Sequence, residues 1–259
     1  MDPQSADDLT SAFLEFDSNP SADVAVFWGE GGSFCSGWDL KYVSTLDKQY
    51  PLKELDIPKD GGKRGNGGDI ARGPLGPSRL ELDKPVIAAV AGPAVAGGME
   101  LALWSDFRVM ERTAYLGVYC RRWGVPLIDG GTVRLPRIVR QGRALEIILT
   151  GRQVMAEECE KLGLCEYVVE EGKAREKAEE LAHAKELESS LGKLMLSIRV
   201  KTGDDGKMFG SVTSQVIADE LMSQFELELD RRKIQLSEAI KVAGEHLVEI
   251  RLHPEVNAH

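Results

Sequence analysis

The stretch KPVIAAVAGPAVAGGMELAL, residues 84–103, decides the fold class of this chain. After Lys84, residues 85–92 form a continuous run without polar side chains, which is typical of a β-strand buried on both faces of a sheet. The pair Gly97-Gly98 then predicts a turn, and Met99 begins a helix that we expect to end near Trp104. A buried strand followed by a turn and a helix indicates a layered α/β structure.

The segments around this stretch repeat the alternation of strand and helix. Apolar spacing predicts a first helix that carries Leu9, Phe13 and Phe16 on one face. Further strands are predicted at 22–28, 107–110, 115–118 and 165–169, and further helices at 131–140, 143–149 and 156–162. The sequence therefore predicts an α/β fold for its first part.

Composition excludes several protein classes. The chain has 259 residues, of which 42% are hydrophobic and 29% charged, and its formal net charge is −10. No apolar run approaches the roughly 18 residues needed to cross a bilayer, and the first ten residues lack the pattern of a secretory signal. The four cysteines have the spacing of neither a disulfide framework nor a zinc site. We expect a cytoplasmic protein with reduced thiols that binds no metal and no membrane.

A second glycine-rich turn lies in SFCSGWDLK, residues 33–41. Glycines at a strand-to-helix turn let the backbone approach a ligand, and the N–H groups at a helix start attract negative charge. If this turn and the turn at Gly97 converge, they would form an oxyanion hole. Such turns are also common in proteins where they bind nothing, so each turn alone leaves both interpretations open.

Four motifs, in order, resemble the crotonase superfamily, which contains the enoyl-CoA hydratases and isomerases. They are FCSGWDLK, KPVIAAVAGPAVAGGMELAL, GVPLIDGGTVRLPRIV and LTGRQVMAEECEKLGLCEYVV. The resemblance covers residues 1 to about 172, and it implies a crotonase-type spiral of ββα repeats that binds acyl-CoA thioesters. It also implies that the backbone N–H groups of Trp38 and Gly97 hold the thioester oxygen, with Gly37 and Gly98 beside the substrate.

The resemblance assigns acid–base chemistry to two carboxylates. Glu100 matches the first of the two glutamates with which hydratases of this family position a water, and Cys120 stands where the second is expected. A thiol with an ordinary pKa of about 8.5 is a poor substitute for a carboxylate with a pKa of about 4, which favours a double-bond shift over hydration. Asp129 falls where the dienoyl-CoA isomerase branch places an acidic base.

Each of these three residues also has a structural interpretation. Glu100 is favoured at a helix start by the helix dipole, and Asp129 is a common residue for satisfying N–H groups in a turn. Cys120 is interpreted as a substrate-contacting residue, a nucleophile or a small buried hydrophobe. The sequence leaves these alternatives open.

Two further regions bear on the completeness of the pocket. Residues 48–80 form a polar, glycine-rich loop, which is interpreted as a lid or as a disordered insertion. Measured against the family, the chain is expected to begin inside the first helix and to lack the closing helices, so the spiral is truncated at both ends. Those helices complete the trimer or hexamer interface in family members, which makes a homo-oligomer the corresponding expectation.

The composition changes after Gly172. Residues 173–190 predict an exposed connecting helix that belongs to neither core, and residues 191–259 predict a small separate α+β domain. In that domain we expect strands at 194–200, 233–236 and 246–252, a loop at 203–210 and a helix at 212–225. The expected division is therefore 1–172, 173–190 and 191–259.

The last part resembles the C-terminal domain of bacterial large-subunit ribosomal protein nine. The similarity rests on SIRVKTGDDGKMFGSVTSQVIADEL, LDRRKIQL and VEIRLHPEVNAH. It implies a weak contact with rRNA, for which the cations are Lys201, Lys207, Arg231, Arg232 and Lys233. The alternative interpretation of these cations is a solvated charged surface.

The sequence thus predicts an enzyme of the enoyl-CoA hydratase/isomerase type, which uses an oxyanion hole to stabilise a thioester enolate. Coenzyme A is part of the substrate, and no other cofactor is expected. One alternative is a ribosome-associated rRNA-binding module with an inert crotonase half. Another is a chimera in which neither activity is intact.

Overall fold

The computed structural model describes residues 1–45, 73–191, 194–202, 207–253 and 256–258. The chain divides into two compact units, Met1–Ala182 and His183–His259. The division falls within the predicted connecting segment 173–190. Most of the predicted lid, residues 48–72, lies outside the described residues.

The first unit alternates strands and helices, as predicted. Its strands are β1 (Ala25–Trp28), β2 (Val86–Val90), β3 (Pro93–Val95), β4 (Phe107–Glu111), β5 (Tyr115–Gly117), β6 (Gln153–Met155) and β7 (Tyr167–Val169). Its helices are α1 (Pro3–Ser18), α2 (Leu40–Val43), α3 (Gly97–Trp104), α4 (Cys120–Trp123), α5 (Gly131–Val139), α6 (Gln141–Thr150) and α7 (Ala156–Leu162), followed by α8 (Ala174–Leu191).

Two sheets organise the first unit. Strands β1, β2, β4 and β7 form a parallel sheet in the order β1-β2-β4-β7. In the second sheet, β5 pairs in parallel with β3 and antiparallel with β6. The successive repeats β2-β3-α3 and β4-β5-α4 each place the first strand in the first sheet and the second strand in the second sheet. This arrangement confirms the predicted spiral of ββα repeats.

The fully apolar strand at the start of the deciding stretch is buried along its whole length. All five residues of β2 are buried, because β1 and β4 flank the strand on both edges while other elements cover both faces. Strand β3 was not predicted. It has only three residues and lies between glycine and alanine, so it carries no pattern that distinguishes it from a turn.

The prediction of a surface loop over 48–80 is wrong at its C-terminal end. Residues 73–78 are buried, and Leu75 and Ser78 expose 0% of their surface. The backbone N–H groups of Gly73 and Gly76 donate to each other's carbonyl oxygens at 2.8 and 3.0 Å, and a 3-10 turn follows at Pro77–Arg79. These bonds satisfy the backbone polar groups, which allows a segment rich in glycine and proline to lie in the interior.

The prediction that the connecting helix belongs to neither core is also wrong. The first half of α8 contributes Ala174, Ala178, Leu181 and Ala182 to a cluster within the first unit. Its second half contributes Ala184 and Leu191 to the cluster of the second unit. Small alanines carry this burial, and their modest apolar surface made the helix look exposed in the sequence.

The second unit is an α+β arrangement of short elements. They are β8 (Lys207–Val212), α9 (Ser214–Phe225), β9 (Ile234–Gln235), β10 (Ile240–Val242), β11 (Glu249–His253) and β12 (Val256–Ala258). Strand β8 pairs antiparallel with β10, and β11 lies between β9 and β12. Helix α9 begins two residues later than predicted, at Ser214, because the side chain of Thr213 caps it by accepting a hydrogen bond from the N–H of Val216.

Two sequence predictions in this unit need correction. Residues 194–200 alternate in burial but form no strand. Residues 207–210, which were predicted to continue a loop, instead open β8. Residues 207–212 form a strand despite Gly210 because β10 pairs with them. Residues 194–200 form no strand despite their alternating pattern. A strand is stable only where a partner satisfies its backbone N–H and C=O groups, so pairing decides the structure in both places. None of the helices in the described part of the chain is long and apolar enough to cross a membrane.

Candidate active site

The two glycine-rich turns of the first unit lie side by side. The segment containing Phe34 and Cys35 runs parallel to β3: the N–H of Phe34 donates to Pro93 O at 3.1 Å, and Cys35 O accepts from the N–H of Val95 at 3.0 Å. Both chain segments therefore reach their turns at the same edge. Gly37 follows one segment, and the N-terminus of α3 follows the other.

Gly37 lies directly against the N-terminus of α3. It has a φ of +86°, and a Cβ placed on it would lie 2.9 Å from the backbone nitrogen of Gly97. Only glycine combines that dihedral angle with that proximity without strain. The N–H of Trp38 follows directly after Gly37, and within the described part of the chain neither Trp38 N nor Gly97 N donates to another group. The two predicted oxyanion donors are therefore neighbours without partners.

Gly98 has a different role from Gly97. It is buried, and a Cβ on it would lie 1.9 Å from the carbonyl oxygen of Cys35. The structure places Gly98 against the other turn, where it lets α3 pack closely, and not among the described residues that line the cavity. Its predicted contact with substrate stays a prediction.

A cavity of about 400 Å³ opens beside these donors. It brings together five of the residues singled out in the sequence, namely Trp38, Gly97, Glu100, Cys120 and Asp129. Its remaining wall is mostly apolar or aromatic and includes Leu40, Pro93, Val95, Tyr115, Tyr119, Trp123, Val125, Pro126 and Ile128. A cavity with apolar walls and a few convergent polar groups is the usual form of a small-molecule site.

Glu100 lies in the first turn of α3 and is 2% exposed. Its Oε1 atom accepts hydrogen bonds from the N–H groups of Asp129, at 3.0 Å, and Gly131, at 2.8 Å. Its other oxygen makes no hydrogen bond within the described residues. Burial raises the pKa of Glu100 to about 7, and the neighbouring charge of Asp129 adds to the rise. A carboxyl group with this pKa both donates and accepts a proton near neutral pH.

Asp129 is held in a similar manner. Its Oδ1 atom accepts from the backbone N–H of Leu75 at 3.0 Å and from the hydroxyl of Ser78, and its second oxygen makes no hydrogen bond within the described residues. Burial raises the pKa of Asp129, whereas these two donors and the nearby guanidinium groups of Arg79 and Arg134 oppose the rise. Each carboxylate thus has one anchored and one free oxygen beside the same cavity.

Cys120 opens α4 and is buried at 4% exposure. Burial raises the pKa of its thiol to about 12, and the charges of Glu100 and Asp129 act in the same direction. The thiol therefore stays protonated near neutral pH, which disfavours the interpretation of Cys120 as a nucleophile. Its position in the cavity wall is compatible with a contact to substrate.

Several residues of this site were not found from the sequence. Leu75 and Ser78 lie in the segment that was interpreted as a loop, and Arg134 lies on α5. The guanidinium of Arg134 donates to Asp129 O at 3.0 Å and to Ser78 O at 2.8 Å, so it joins the two segments that hold the carboxylate. Its place one turn into a helix that follows Asp129 is the signal that the sequence offered.

The cations predicted to contact rRNA lie in the second unit. Arg231, Arg232 and Lys233 form an exposed 3-10 turn, and Arg232 is paired with Asp230 at 2.7 Å. Lys201 is exposed, and its carbonyl oxygen accepts from the N–H of Phe209 at 2.8 Å. The side chain of Lys207 lies outside the described residues. Within the described residues, no group of three His, Cys, Asp or Glu side chains is placed to hold a metal ion.

Two family models match this chain. Residues 78–206 match the model for enoyl-CoA hydratase/isomerase, and residues 182–259 match the model for the C-terminal domain of ribosomal protein L9. Both resemblances stated from the sequence motifs are thereby confirmed.

Relatives of known name are similar to the first part of the chain. Enoyl-CoA hydratase EchA19 of Mycobacterium tuberculosis is 36% identical over 183 residues, which are 68% of this chain and 62% of the relative. YngF of Bacillus subtilis, whose name places it among the enoyl-CoA hydratases and isomerases, is 36% identical over 194 residues, covering 70% of this chain and 68% of YngF. The chain thus spans less than two thirds of the length of EchA19 and slightly more than two thirds of YngF.

A solved structure supports the same comparison. The crystal structure of an enoyl-CoA hydratase from Bacillus anthracis matches with a TM-score of 0.57 and 31% identity, covering 68% of this chain and 63% of that chain.

Proposed function

The chain belongs to the enoyl-CoA hydratase/isomerase family, and on that premise we propose that its first unit binds an acyl-CoA thioester and stabilises the enolate of that thioester. The observation that carries the proposal is the placement of two backbone N–H groups, on Trp38 and Gly97, beside Glu100 and Asp129 in one cavity; neither N–H group has a hydrogen-bond partner among the described residues. Preorganised donors aimed at a developing oxyanion typically contribute about 3–4 kcal/mol each.

The proposed chemistry is a double-bond shift. One carboxylate removes a proton from the saturated carbon next to the thioester carbonyl, or from the saturated carbon next to a double bond conjugated with it. The electron pair of the broken C–H bond delocalises onto the thioester oxygen, where the two N–H groups hold the charge. The other carboxyl group returns a proton to a different carbon as the enolate collapses. No atom is gained or lost. Glu100, with a pKa of about 7, can serve in either step, and Asp129 is its partner.

The protonated thiol of Cys120 favours this reaction over hydration. A hydratase needs a second group that deprotonates water, and a thiol whose pKa is about 12 does not do so near neutral pH. We expect the products from a panel of enoyl-CoA thioesters, identified by mass spectrometry and NMR, to be mainly positional isomers. Cys120→Glu should raise the hydrated fraction. Hydration as the main reaction of the unsubstituted chain would contradict the assignment.

The direct test of the site is a titration with acetoacetyl-CoA, followed by the absorbance of its enolate. We expect a saturable enolate band that free coenzyme A removes by competition, because the oxyanion donors favour the ionised form. Coenzyme A alone, which has no acyl carbonyl, is the control and should give no band. Binding of acetoacetyl-CoA without enolate formation would exclude the proposed oxyanion hole.

For the second unit, we propose a weak contact with single-stranded RNA. The observation that favours it is Phe209 on β8, whose side chain is 79% exposed. Phe209 lies opposite the exposed Lys201, next to the antiparallel bridge between Thr202 and Met208. Arg199, two residues before Lys201, is also exposed. An exposed aromatic ring beside cations suits base stacking with phosphate contacts.

Phe209→Leu tests this contact in the full-length chain by fluorescence anisotropy with a labelled RNA oligonucleotide at low salt. Loss of ring stacking should weaken binding about 5–150-fold, from the usual roughly 1–3 kcal/mol per stacked base. Leu247→Ala is a matched control, since Leu247 is an apolar side chain with 86% exposure outside the strands. Equal affinities of the two variants would exclude Phe209 as a stacking residue.

A further inference from the structure

Ser78 is the polar side chain in closest contact with Asp129. It exposes 0% of its surface, and its hydroxyl donates to Asp129 Oδ1. The backbone N–H of Leu75 donates to the same oxygen at 3.0 Å. Two donors on one oxygen fix the rotation of the carboxyl group and leave Oδ2 as the oxygen available to a ligand in the cavity.

The distance between Ser78 and Asp129 is held by a third residue. Arg134 donates through Nη2 to Ser78 O at 2.8 Å and through Nη1 to Asp129 O at 3.0 Å. Arg79 adds a second link, since its Nη2 donates to Ile128 O at 3.2 Å. Backbone segments that are 51 residues apart in sequence are therefore locked together at the point where the hydroxyl meets the carboxylate.

We propose that Ser78 is a positioning residue for Asp129, which directs one carboxylate oxygen into the cavity and keeps the carboxyl group ionised for proton abstraction. The inference rests on the proposed acid–base role of Asp129. Ser78 does not touch the cavity, so its effect on the reaction is exerted through the carboxylate.

The electrostatic surroundings of Asp129 give this hydroxyl its importance. The other titratable groups near Asp129 are Glu100 and the thiols of Cys35 and Cys120, and none of them carries a positive charge. The positive charges that stabilise the Asp129 carboxylate are on Arg79 and Arg134. Burial raises the pKa of Asp129, and the Ser78 hydroxyl is the strongest of the interactions that lower it. A hydrogen bond to the charged form stabilises that form, so its removal raises the pKa of the carboxyl group further.

The test measures the ionisation of Asp129 directly. Full-length protein carrying 13Cγ-labelled aspartate is titrated by NMR, and Asp129 is assigned as the resonance that disappears in Asp129→Asn. In Ser78→Ala the pKa of Asp129 should rise by about one unit. Ser78→Thr, which retains the hydroxyl, should keep the original value. Ser105→Ala is the matched control, because Ser105 is also buried, at 3% exposure, and its hydroxyl faces Leu101 O instead.

Turnover supplies a second readout. In Ser78→Ala the acidic limb of the kcat profile should move to higher pH by the same amount, with KM unchanged. Ser105→Ala should not move this limb. A folded Ser78→Ala protein in which Asp129 titrates at its original pH overturns the proposal.

The two readouts separate this inference from the proposed function. If the unsubstituted chain neither forms the acetoacetyl-CoA enolate nor isomerises any thioester, the proposed function fails, while the NMR titration still decides whether Ser78 controls Asp129. If Ser78→Ala does not fold, Ser78→Cys takes its place, because a thiol fills the same space and donates only weakly. Its Asp129 pKa should lie above that of the unsubstituted chain, and an unchanged value overturns the proposal.

Discussion

Each unit contains an arginine–carboxylate ion pair, and the arginine is buried in the first unit but exposed in the second. In the first unit, Arg108 is 4% exposed, its guanidinium pairs with Glu166 at 2.8 Å, and its remaining N–H groups donate to Leu164 O and Ser105 O. In the second unit, Arg232 pairs with Asp230 at 2.7 Å, but its side chain is 85% exposed. The distances are nearly equal, and only the surroundings differ.

Because of this difference in burial, the charged groups of the first unit suit acid–base chemistry, whereas those of the second unit suit only contacts exposed to solvent. The first unit has a parallel sheet whose central strand is wholly buried, and its interior holds Arg108, Glu100 and Asp129 with hydrogen-bond partners. Burial raises the pKa values of Glu100 and Asp129, and shifted pKa values of this kind are what acid–base catalysis requires. In the second unit, Lys201, Arg231, Arg232 and Lys233 are exposed, so their interactions are screened by salt.

The largest expected effect is on turnover. Glu100→Gln removes the ionisable group but preserves the shape of the side chain, and it should lower kcat about 10²–10⁴-fold, the usual contribution of a positioned acid or base. Binding of acetoacetyl-CoA, measured by calorimetry, should change little. Arg231→Ala in the second unit is the control and should leave turnover unchanged. Equal turnover in Glu100→Gln would contradict the proposed role of the first unit.

The comparison of ion pairs predicts the next largest effect. Arg108→Ala should lower the free energy of unfolding by about 3–5 kcal/mol, because it leaves buried acceptors without a donor. Arg232→Ala should cost at most about 1 kcal/mol, as exposed pairs do. Since all four tryptophans lie in the first unit, tryptophan fluorescence in urea reports Arg108→Ala, and hydrogen exchange of α9 reports Arg232→Ala. Similar costs at both sites would show that burial does not distinguish the units.

The pH dependence of stability gives a smaller effect. Folding raises the pKa of Glu100 from 4.5 to about 7, so the stability associated with its protonated form is complete below pH 4.5 and is lost as the pH rises through 7. Glu100→Gln removes this loss. Relative to the unsubstituted chain, its free energy of unfolding should therefore be about 2–3 kcal/mol more favourable at pH 8 than at pH 5. Parallel stability curves, measured by urea unfolding at both pH values, would contradict the buried position of this carboxylate.

The smallest expected effect concerns salt. Lys201 is exposed and has no ion-pair partner within the described part of the chain, whereas Arg232 already faces Asp230. Lys201→Ala should reduce the slope of log K against log[salt] for RNA binding by about 1, and Arg232→Ala should change it less. The measurement is an anisotropy titration at four salt concentrations. A slope that neither substitution changes would remove Lys201 from the RNA contact.

The sequence predicted those parts of the fold whose pattern is local. Strand β2 was evident as an unbroken apolar run, and α9 as a helix led by a capping threonine. The sequence pattern failed to predict burial where the packing partners are distant in the chain or where the buried side chains are small. The buried segment at 73–78 looked like a loop because glycine and proline dominate it, and α8 looked exposed because alanines carry its burial.

The same division runs through the candidate site. The sequence by itself determined which residues are the candidates for the chemistry, because Glu100, Asp129 and the two glycine-rich turns occupy recognisable motifs. Only the tertiary structure decided their state. A carboxylate acquires a pKa of about 7 from the low-polarity interior and the second charge that folding brings beside it, and Asp129 acquires its orientation from Ser78, 51 residues away in the chain. Such effects depend on distance in space, which spacing along the chain does not encode.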